Sequence, residues 1–315
     1  MTNKNIDFSV VVPVYNSQKN LNELVRRIKT VFSELQNDKY EIILVDDFSK
    51  DTSWSVMQKI RNDDSSIKII KFSKNYGQQS ATLCGLKYAD GEIIITLDDD
   101  LQHRPEDIPK MIDTLKYENL DVVMARYDIK QHSYLRNLIT KINTSVMFYV
   151  FEAPTDLAIT SFRVLRKKNV DNILSIKSSY PHIPAFIFKT TPMNKIGNVT
   201  VCHDKRKNGE SGYNLMKLFQ IWLNLIINYS AIPLIFCGLF GIVISIFSFT
   251  YALWILFNRL INPEYGLMGW NSLIVTITFL GGSILVVLSI IGEYLRRILT
   301  EVSYGNPYLI DRMEI

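Results

Sequence analysis

Two stretches without a single Asp, Glu, Lys or Arg constrain this chain more than any other feature, one between Lys217 and Arg259, the other between Glu264 and Glu293. Each is longer than the roughly 20 residues that a helix needs to cross the hydrocarbon core of a bilayer. The first contains AIPLIFCGLFGIVISIFSFTYALWILF and the second SLIVTITFLGGSILVVLSII, rich in Leu, Ile, Val and Phe with Gly and Ser interspersed, as membrane helices permit. A pair of buried core helices in a soluble protein is the competing reading, and it fits poorly with uninterrupted stretches of this length at one end of an otherwise charged chain. Two transmembrane helices are therefore expected, over 231–258 and 271–292, with Gly281 and Gly282 allowing close helix packing.

Charge sets the expected orientation. Lys205, Arg206, Lys207 and Lys217 precede the first span and Arg296 and Arg297 follow the second, while the connecting loop carries only Arg259 and Glu264. The positive-inside rule then places the N-terminal part and the tail 293–315 in the cytosol. The start MTNKNIDFSVVVPVYN agrees, because its short apolar run ends at Pro13 and no small-residue cleavage site follows. Cys84, Cys202 and Cys237 have no paired spacing, which suits a reducing compartment. A net charge of +4, without a basic run interleaved with aromatics, gives no sign of nucleic-acid binding.

Before residue 126 the chain alternates β-branched runs with amphipathic ones. FSVVVPV is followed by NLNELVRRIKTVFSEL, YEIILVD by TSWSVMQKI, IKIIKFS by QQSATLCGLKYA, and EIIITLD by PEDIPKMIDTLKY, and then comes LDVVMA. Nearly continuous apolar strands alternating with helices predict an α/β domain, a parallel sheet covered on both faces. Ligands of such sheets bind beyond the carboxyl ends of the strands. The unusual polar residues gather at those ends: Pro13, Tyr15 and Asn16 after the first run, Asp46 and Asp47 after the second, Lys74 after the third, Asp98 to Asp100 after the fourth and Arg126 after the fifth. Beyond Arg126, HSYLRNLITKINTSVMFYVF and YNLMKLFQIWLNLIINY, the latter within 213–230, read as amphipathic helices, either of the core or of the membrane interface.

On a strand end Asp98 and Asp100 would point to one side and Asp99 to the other, where it is expected to support the loop. Two convergent carboxylates are costly unless a cation or a proton neutralises them. Mg²⁺, held by one or two carboxylates with water and phosphate oxygens completing its octahedron, is the usual solution, and a solvated acidic turn is the alternative. Lys74 and Arg126 at neighbouring strand ends could hold phosphate charge, so the pocket suits a diphosphate. Neither a G-x-x-x-x-G-K-[ST] cradle nor a G-x-G-x-x-G turn is present. CHD, Cys202 to Asp204, lacks a second metal-binding pair and reads as structural, as do His132 and His182.

VVPVYN, ILVDDFSKDTS, KNYGQQSATLCGL, ITLDDDLQHRPEDIP, TDLAITSFRVLRKKNVD and RKNGESGYNLMKL follow one another in the order found in family 2 glycosyltransferases of the polyprenyl-phosphate type, the group of the dolichyl-phosphate mannose synthases. Over nearly its whole length the chain resembles the bacterial undecaprenyl-phosphate members with two C-terminal transmembrane helices, down to the tail GEYLRRILTEVSYGNPYLID. The resemblance implies a GT-A catalytic domain over 1–212 and inverting transfer of a sugar from a nucleotide-sugar, UDP before GDP as carrier, to a polyprenyl phosphate. It implies a bacterial inner-membrane enzyme serving cell-envelope glycans, assembled as a homo-oligomer, a tetramer.

Motif by motif, the resemblance assigns Pro13, Tyr15, Asn16, Asp46, Asp47, Lys74, Asp99 and Arg126 to the nucleotide-sugar. Asp98 and Asp100 become the D-x-D site for Mg²⁺ or Mn²⁺, with Gln102 added to the shell, and Asp156, Arg163, Arg206 and Ser211 line the acceptor side. Arg163 and Arg206 would steer the acceptor phosphate or stabilise the departing diphosphate, so they stand with Asp98 and Asp100 as catalytic candidates. Ser17 stands where the family pattern has Glu, and His103 and Arg104 stand where it has Asp and Pro. A processive polysaccharide synthase would be expected to carry a Q-x-x-R-W segment and further spans, which are missing; a non-catalytic scaffold would not need Asp46, Asp98 and Asp100 intact.

Overall fold

The structure is a computed structural model that describes residues 6–127, 157–202, 232–261, 269–304 and 307–315. The chain divides into two units, Met1–Gly212 with Tyr304–Ile315, and Tyr213–Ser303.

In the first unit the predicted alternation is realised. β1 (Phe8–Val14), α1 (Leu21–Glu34), β2 (Tyr40–Asp46), α2 (Ser53–Asp63), β3 (Ile67–Phe72), α3 (Gln78–Lys87) and β4 (Ile93–Thr96) follow in turn. A 3-10 turn, Pro105–Asp107, leads into α4 (Ile108–Tyr117), followed by β5 (Val122–Tyr127). After the segment 128–156, β6 (Arg163–Arg166), α5 (Lys167–Ser175), α6 (Ile183–Thr190) and β7 (Ile196–Val201) complete the main body. An eight-stranded sheet results, in the order β7-β5-β6-β4-β1-β2-β3-β8, where β8 is Ile310–Glu314.

Every residue of β1 is buried, as a strand packed on both faces requires. Val10, Val12, Ile42 and Leu44 meet Leu24 and Ile28 of α1, Met57 of α2 and Met111 of α4 in one apolar cluster. The α1 residues recur at Leu21, Leu24, Val25, Ile28, Val31 and Phe32, the spacing of one helical face. Alternation turns Val11 the other way, and α3 comes so close there that a Cβ on Gly85 would lie 2.2 Å from Val11 Cγ1. Only glycine permits that approach.

The sheet is mostly parallel, as expected of a Rossmann-like GT-A domain, and two antiparallel strands make it mixed. β1 runs parallel to β2 and β4, β2 to β3 and β5 to β7, but β6 is antiparallel to both β4 and β5, and β8 is antiparallel to β3. β6 separates β4 from β5, pairing Arg163 with Thr96 on one side and with Met124 on the other. It therefore starts at the carboxyl ends of its neighbours, and the residues just before it stand on the rim.

The other antiparallel strand comes from the C-terminal tail, which the sequence reading had left as a separate segment. Tyr308 stacks on Phe72 with ring centroids 5.0 Å apart, and its hydroxyl faces the Cys84 thiol. Ser73 N–H donates to Leu309 O at 3.0 Å, and Gln58 Nε2 reaches Glu314 Oε1 at 3.2 Å. The pairing covers what would otherwise be the open edge of β3, a row of unpaired backbone groups prone to association. Burial pushes the Cys84 thiol up to about 12.

The second unit contains α7 (Ile232–Ile261) and α8 (Trp270–Tyr304). At 30 and 35 residues these helices are about 45 and 52 Å long, more than the hydrocarbon core requires. The apolar windows Pro233–Tyr251 and Phe279–Val302 are 6% and 0% buried, so Phe247, Phe249, Leu285 and Leu299 are exposed in the chain by itself. Core helices of a soluble protein would be covered; these suit lipid. Among the described residues an added Cβ at Gly281 or Gly282 would meet nothing within 4 Å. The amphipathic segments at 132–151 and 213–229 lie outside the described residues.

Removing residues 307–315 uncovers β3 and Cys84 together. In the truncated protein Cys84 is expected to react with a thiol reagent roughly tenfold faster or more, with a lowered melting temperature. Unchanged reactivity, measured in a Cys202→Ser Cys237→Ser background, would show that the tail does not protect that face.

Candidate active site

The carboxyl ends of β1, β2, β3 and β4 meet the start of β6 at one rim, and five carboxylates stand there. Asp98 to Asp100 lie beyond the end of β4 at Thr96, in a turn that continues through Leu101 at φ 62°. Strand alternation therefore does not orient them; their partners do. Asp98 Oδ1 accepts from Gln78 Nε2 at 2.6 Å and Oδ2 from Ser161 Oγ at 2.7 Å. Asp99 turns toward β1, where its Oδ2 accepts from Tyr15 N–H at 2.9 Å and its carbonyl from Asn20 Nδ2 at 3.2 Å. Asp100 Oδ1 accepts the N–H of Gln102 at 3.0 Å. Asp98 and Asp100 both press electrostatically on the hydroxyl of Tyr127, which burial already holds above the usual phenol range. Asp99 thus has its partner in the loop after β1, and Asp98 has its partners in α3 and ahead of β6.

Burial raises Asp99 to about 7, and the charges of Asp98 and Asp100 add to that. The turn thus resists further negative charge and favours a cation.

Asp46 and Asp47 are brought to the rim as expected, but their carboxylates face inward, at 0% and 4% exposure. Asp46 Oδ1 accepts Ser49 N–H at 3.0 Å while Oδ2 is buried with no donor among the described residues, and burial raises its pKa. Asp47 accepts Tyr76 N–H at 2.7 Å and Gly77 N–H at 2.8 Å, and burial raises it to about 6. Gly77, at φ 88°, holds a backbone conformation that a side chain would strain. Both carboxylates, expected at a nucleotide, meet backbone donors of the loops in this structure. The outer surface there belongs to Tyr15, Asn16 and Phe48, all exposed. Asn16 and Phe48 are left-handed, at φ 54° and 61°. Asn16 ties the two loops together, donating its N–H to Ser49 Oγ at 2.9 Å and accepting Lys50 N–H at 2.8 Å.

Ser17, in place of the family's Glu, is buried, and its N–H donates to Ser53 Oγ at 2.8 Å. Pro13 is buried within β1. Lys74 Nζ lies 5.1 Å from the centre of the Tyr76 ring, and Arg126 is exposed near the end of β5.

Arg163, expected on the acceptor side, is 3% exposed, and its Nε donates to Thr160 O. Burial lowers its pKa to about 10, and the Asp98 charge opposes that shift. It therefore places a positive charge behind Asp98 instead of offering one to solvent. His182 caps α6, its Nδ1 accepting Ala185 N–H at 3.2 Å. Burial, with Arg163 adding repulsion, pushes this imidazole down to about 4. Sequence reasoning missed Gln78 and Ser161 as partners of Asp98. Asp156, Arg206 and Ser211 lie outside the described residues.

Among the described residues no three His, Cys, Asp or Glu side chains converge on one point. A hard divalent ion needs no such cluster, because two carboxylates with water and phosphate oxygens suffice, and the oxygen donors of Asp98 and Asp100 fit that chemistry.

Comparison with known proteins agrees with this arrangement. Residues 9–188 match the family described as Glycosyl transferase family 2. The glycosyltransferase YkcC of Bacillus subtilis, itself uncharacterized, is 32% identical over 98% of this chain and 94% of its own. Undecaprenyl-phosphate 4-deoxy-4-formamido-L-arabinose transferases of Enterobacter sp. and Yersinia pestis are 32% and 33% identical, over 97% of this chain and 93% of theirs. The crystal structure of glucosyl-3-phosphoglycerate synthase from Mycobacterium tuberculosis with Mn²⁺, UDP and phosphoglyceric acid matches in fold, with a TM-score of 0.53 at 17% identity over 70% of this chain and 76% of that one. The sheet with its acidic rim is the GT-A-like fold of a glycosyltransferase. The chain belongs to glycosyl transferase family 2.

The His182 imidazole binds its proton more readily in the unfolded chain, near its ordinary pKa of 6.5, than in the folded one. Its contribution to stability is complete above pH 6.5 and declines as the pH falls toward 4. Asn keeps an N-cap acceptor without titrating. In His182→Asn the melting temperature should fall less steeply over that range than in the wild type; parallel curves would remove His182 from the acid limb.

Proposed function

We propose that the protein transfers a sugar, with inversion at the anomeric carbon, from a UDP-sugar to the phosphate of a polyprenyl lipid of the undecaprenyl type. The observation that carries this reading is the braced Asp98–Asp100 turn with Arg163 buried behind it, in a chain with two helices long and apolar enough to span a bilayer. The relatives named as undecaprenyl-phosphate transferases support the lipid acceptor. Mn²⁺ and UDP held in solved enzymes of like fold support the ion and the carrier.

The acceptor phosphate is already an anion near neutral pH, so its oxygen attacks the anomeric carbon without a side-chain base. The new C–O bond forms as the bond to the nucleoside diphosphate breaks, and the diphosphate leaves with the electron pair. Stabilising that departing charge is what the site must do. Mg²⁺ or Mn²⁺, held by Asp98 and Asp100 beside Gln102, would supply the Lewis-acid part. Gln78 and Ser161 aim Asp98, and Arg163 offsets its negative charge from behind. Pro13, Tyr15, Asn16, Asp46 and Asp47 form the nucleoside side of the rim, with Asp46 and Asp47 acting through the loops, and Asp99 fixing the loop after β1. Lys74 and Arg126 are cations for the phosphates. Asp156, Arg206 and Ser211 remain assigned to the acceptor on their place in the family pattern.

Purified protein with undecaprenyl phosphate, Mn²⁺ and a panel of radiolabelled UDP- and GDP-sugars should form one labelled lipid. Asp100→Ala should lower that transfer by roughly a hundredfold or more. Undiminished transfer in the variant would end the paired-carboxylate mechanism.

The proposed location is the bacterial inner membrane, with catalytic domain and tail in the cytosol. The tail leaves α8 and joins the sheet as β8, which requires the sheet and the C-terminus to lie on the same side. Native Cys202, exposed after β7, reports that side. In intact cells an impermeant maleimide should leave Cys202 unlabelled and react with a cysteine introduced at Tyr265; the reverse pattern would invert the topology.

A further inference from the structure

His103 stands in the acidic turn where the family pattern has Asp, and the proposed mechanism has not used it. It is 5% exposed. Its ring lies nearly parallel to those of Phe162 and Tyr127, with centroids 5.3 and 6.0 Å away and interplanar angles of 16° and 14°. Phe162 precedes β6 and Tyr127 ends β5, so the ring is held by the start of one strand and the end of its neighbour. Its Nδ1 accepts the backbone N–H of Asp98 at 3.0 Å, and its Nε2 is 3.8 Å from Asp98 Oδ2.

We infer that His103 is a positioning residue for the reaction, fixing the Asp98 peptide and through it the direction of the Asp98 carboxylate. Asp98 lies beyond the last paired residue of β4, so no ladder bond orients its peptide. Rotation of that peptide would swing the carboxylate off Gln78 and Ser161. Leu101 takes φ 62°, a conformation costly for a branched side chain, and thereby turns the chain back so that residue 103 reaches residue 98. Because Nδ1 accepts, the proton of the neutral ring sits on Nε2, the nitrogen facing the carboxylate. Stacking removes the ring's freedom, so the acceptor stays in place without ordering cost when ligand arrives.

The inference rests on the reading of Asp98 and Asp100 as ligands of the cation, and the test separates the two. Mn²⁺ affinity of the full-length protein is measured by electron paramagnetic resonance with UDP present, alongside the melting temperature. Asn carries its side-chain acceptor near the position of Nδ1, and Gln near that of Nε2. His103→Asn should keep the Mn²⁺ Kd within about threefold of wild type, while His103→Gln and His103→Leu raise it by about tenfold to a hundredfold. Should His103→Leu fail to fold, the Asn and Gln pair decides the matter alone. Equal losses in that pair, in step with melting temperature, would reduce His103 to packing and overturn the inference. Wild-type affinity in His103→Gln, with affinity lost in Asp100→Ala, would overturn it too while leaving the cation reading intact. Wild-type affinity in Asp100→Ala would instead remove the cation reading, and this inference with it.

Discussion

Negative charge concentrated at one end of a sheet is the constraint on which the rest of this structure depends. Asp46, Asp47, Asp98, Asp99 and Asp100 share one rim, and burial raises the pKa of Asp46, Asp47 and Asp99. The protein meets this mainly with neutral donors, the N–H groups of Tyr15, Ser49, Tyr76 and Gly77 and the side chains of Gln78 and Ser161. A buried cation associated with the rim, Arg163, offsets Asp98. Neutral donors orient carboxylates without cancelling their charge, so the rim keeps its attraction for a divalent ion.

That economy explains why the donors come from so many elements. Asp99 is held by the loop after β1, Asp47 by the loop after β3, and Asp98 by the first residue of α3 and by a residue just ahead of β6. Each of these three carboxylates ties its own loop to a neighbour, so they build the rim as well as furnish it. A substitution such as Asp47→Ala would leave two backbone N–H groups of the next loop without their partner, and disturb the site at a distance from any ligand.

The first five strands and the helices between them were legible because burial on both faces writes itself as continuous apolar runs, and amphipathic helices as a 3.6-residue period. Two features were hidden. RVLR is too short and too ordinary to announce an antiparallel strand, yet its insertion between β4 and β5 brings Ser161, Phe162 and Arg163 to the D-x-D turn. IDRME lies beyond a membrane-length helix, where nothing local points to pairing with a strand, β3, more than two hundred residues earlier. The site was readable in its acids, since charge at strand ends is conspicuous. Their partners were not, because Gln78, Ser161 and His103 are unremarkable in sequence and acquire their roles only through long-range pairing.

The tail strand belongs to the catalytic unit although it follows α8 in the chain. Its pairing with β3 joins residues more than two hundred positions apart, so closing that loop costs chain entropy. The β3–β8 ladder, the stacking of Tyr308 on Phe72 and the bond from Ser73 N–H to Leu309 O offset that cost, and together they cover the edge of the sheet opposite β7.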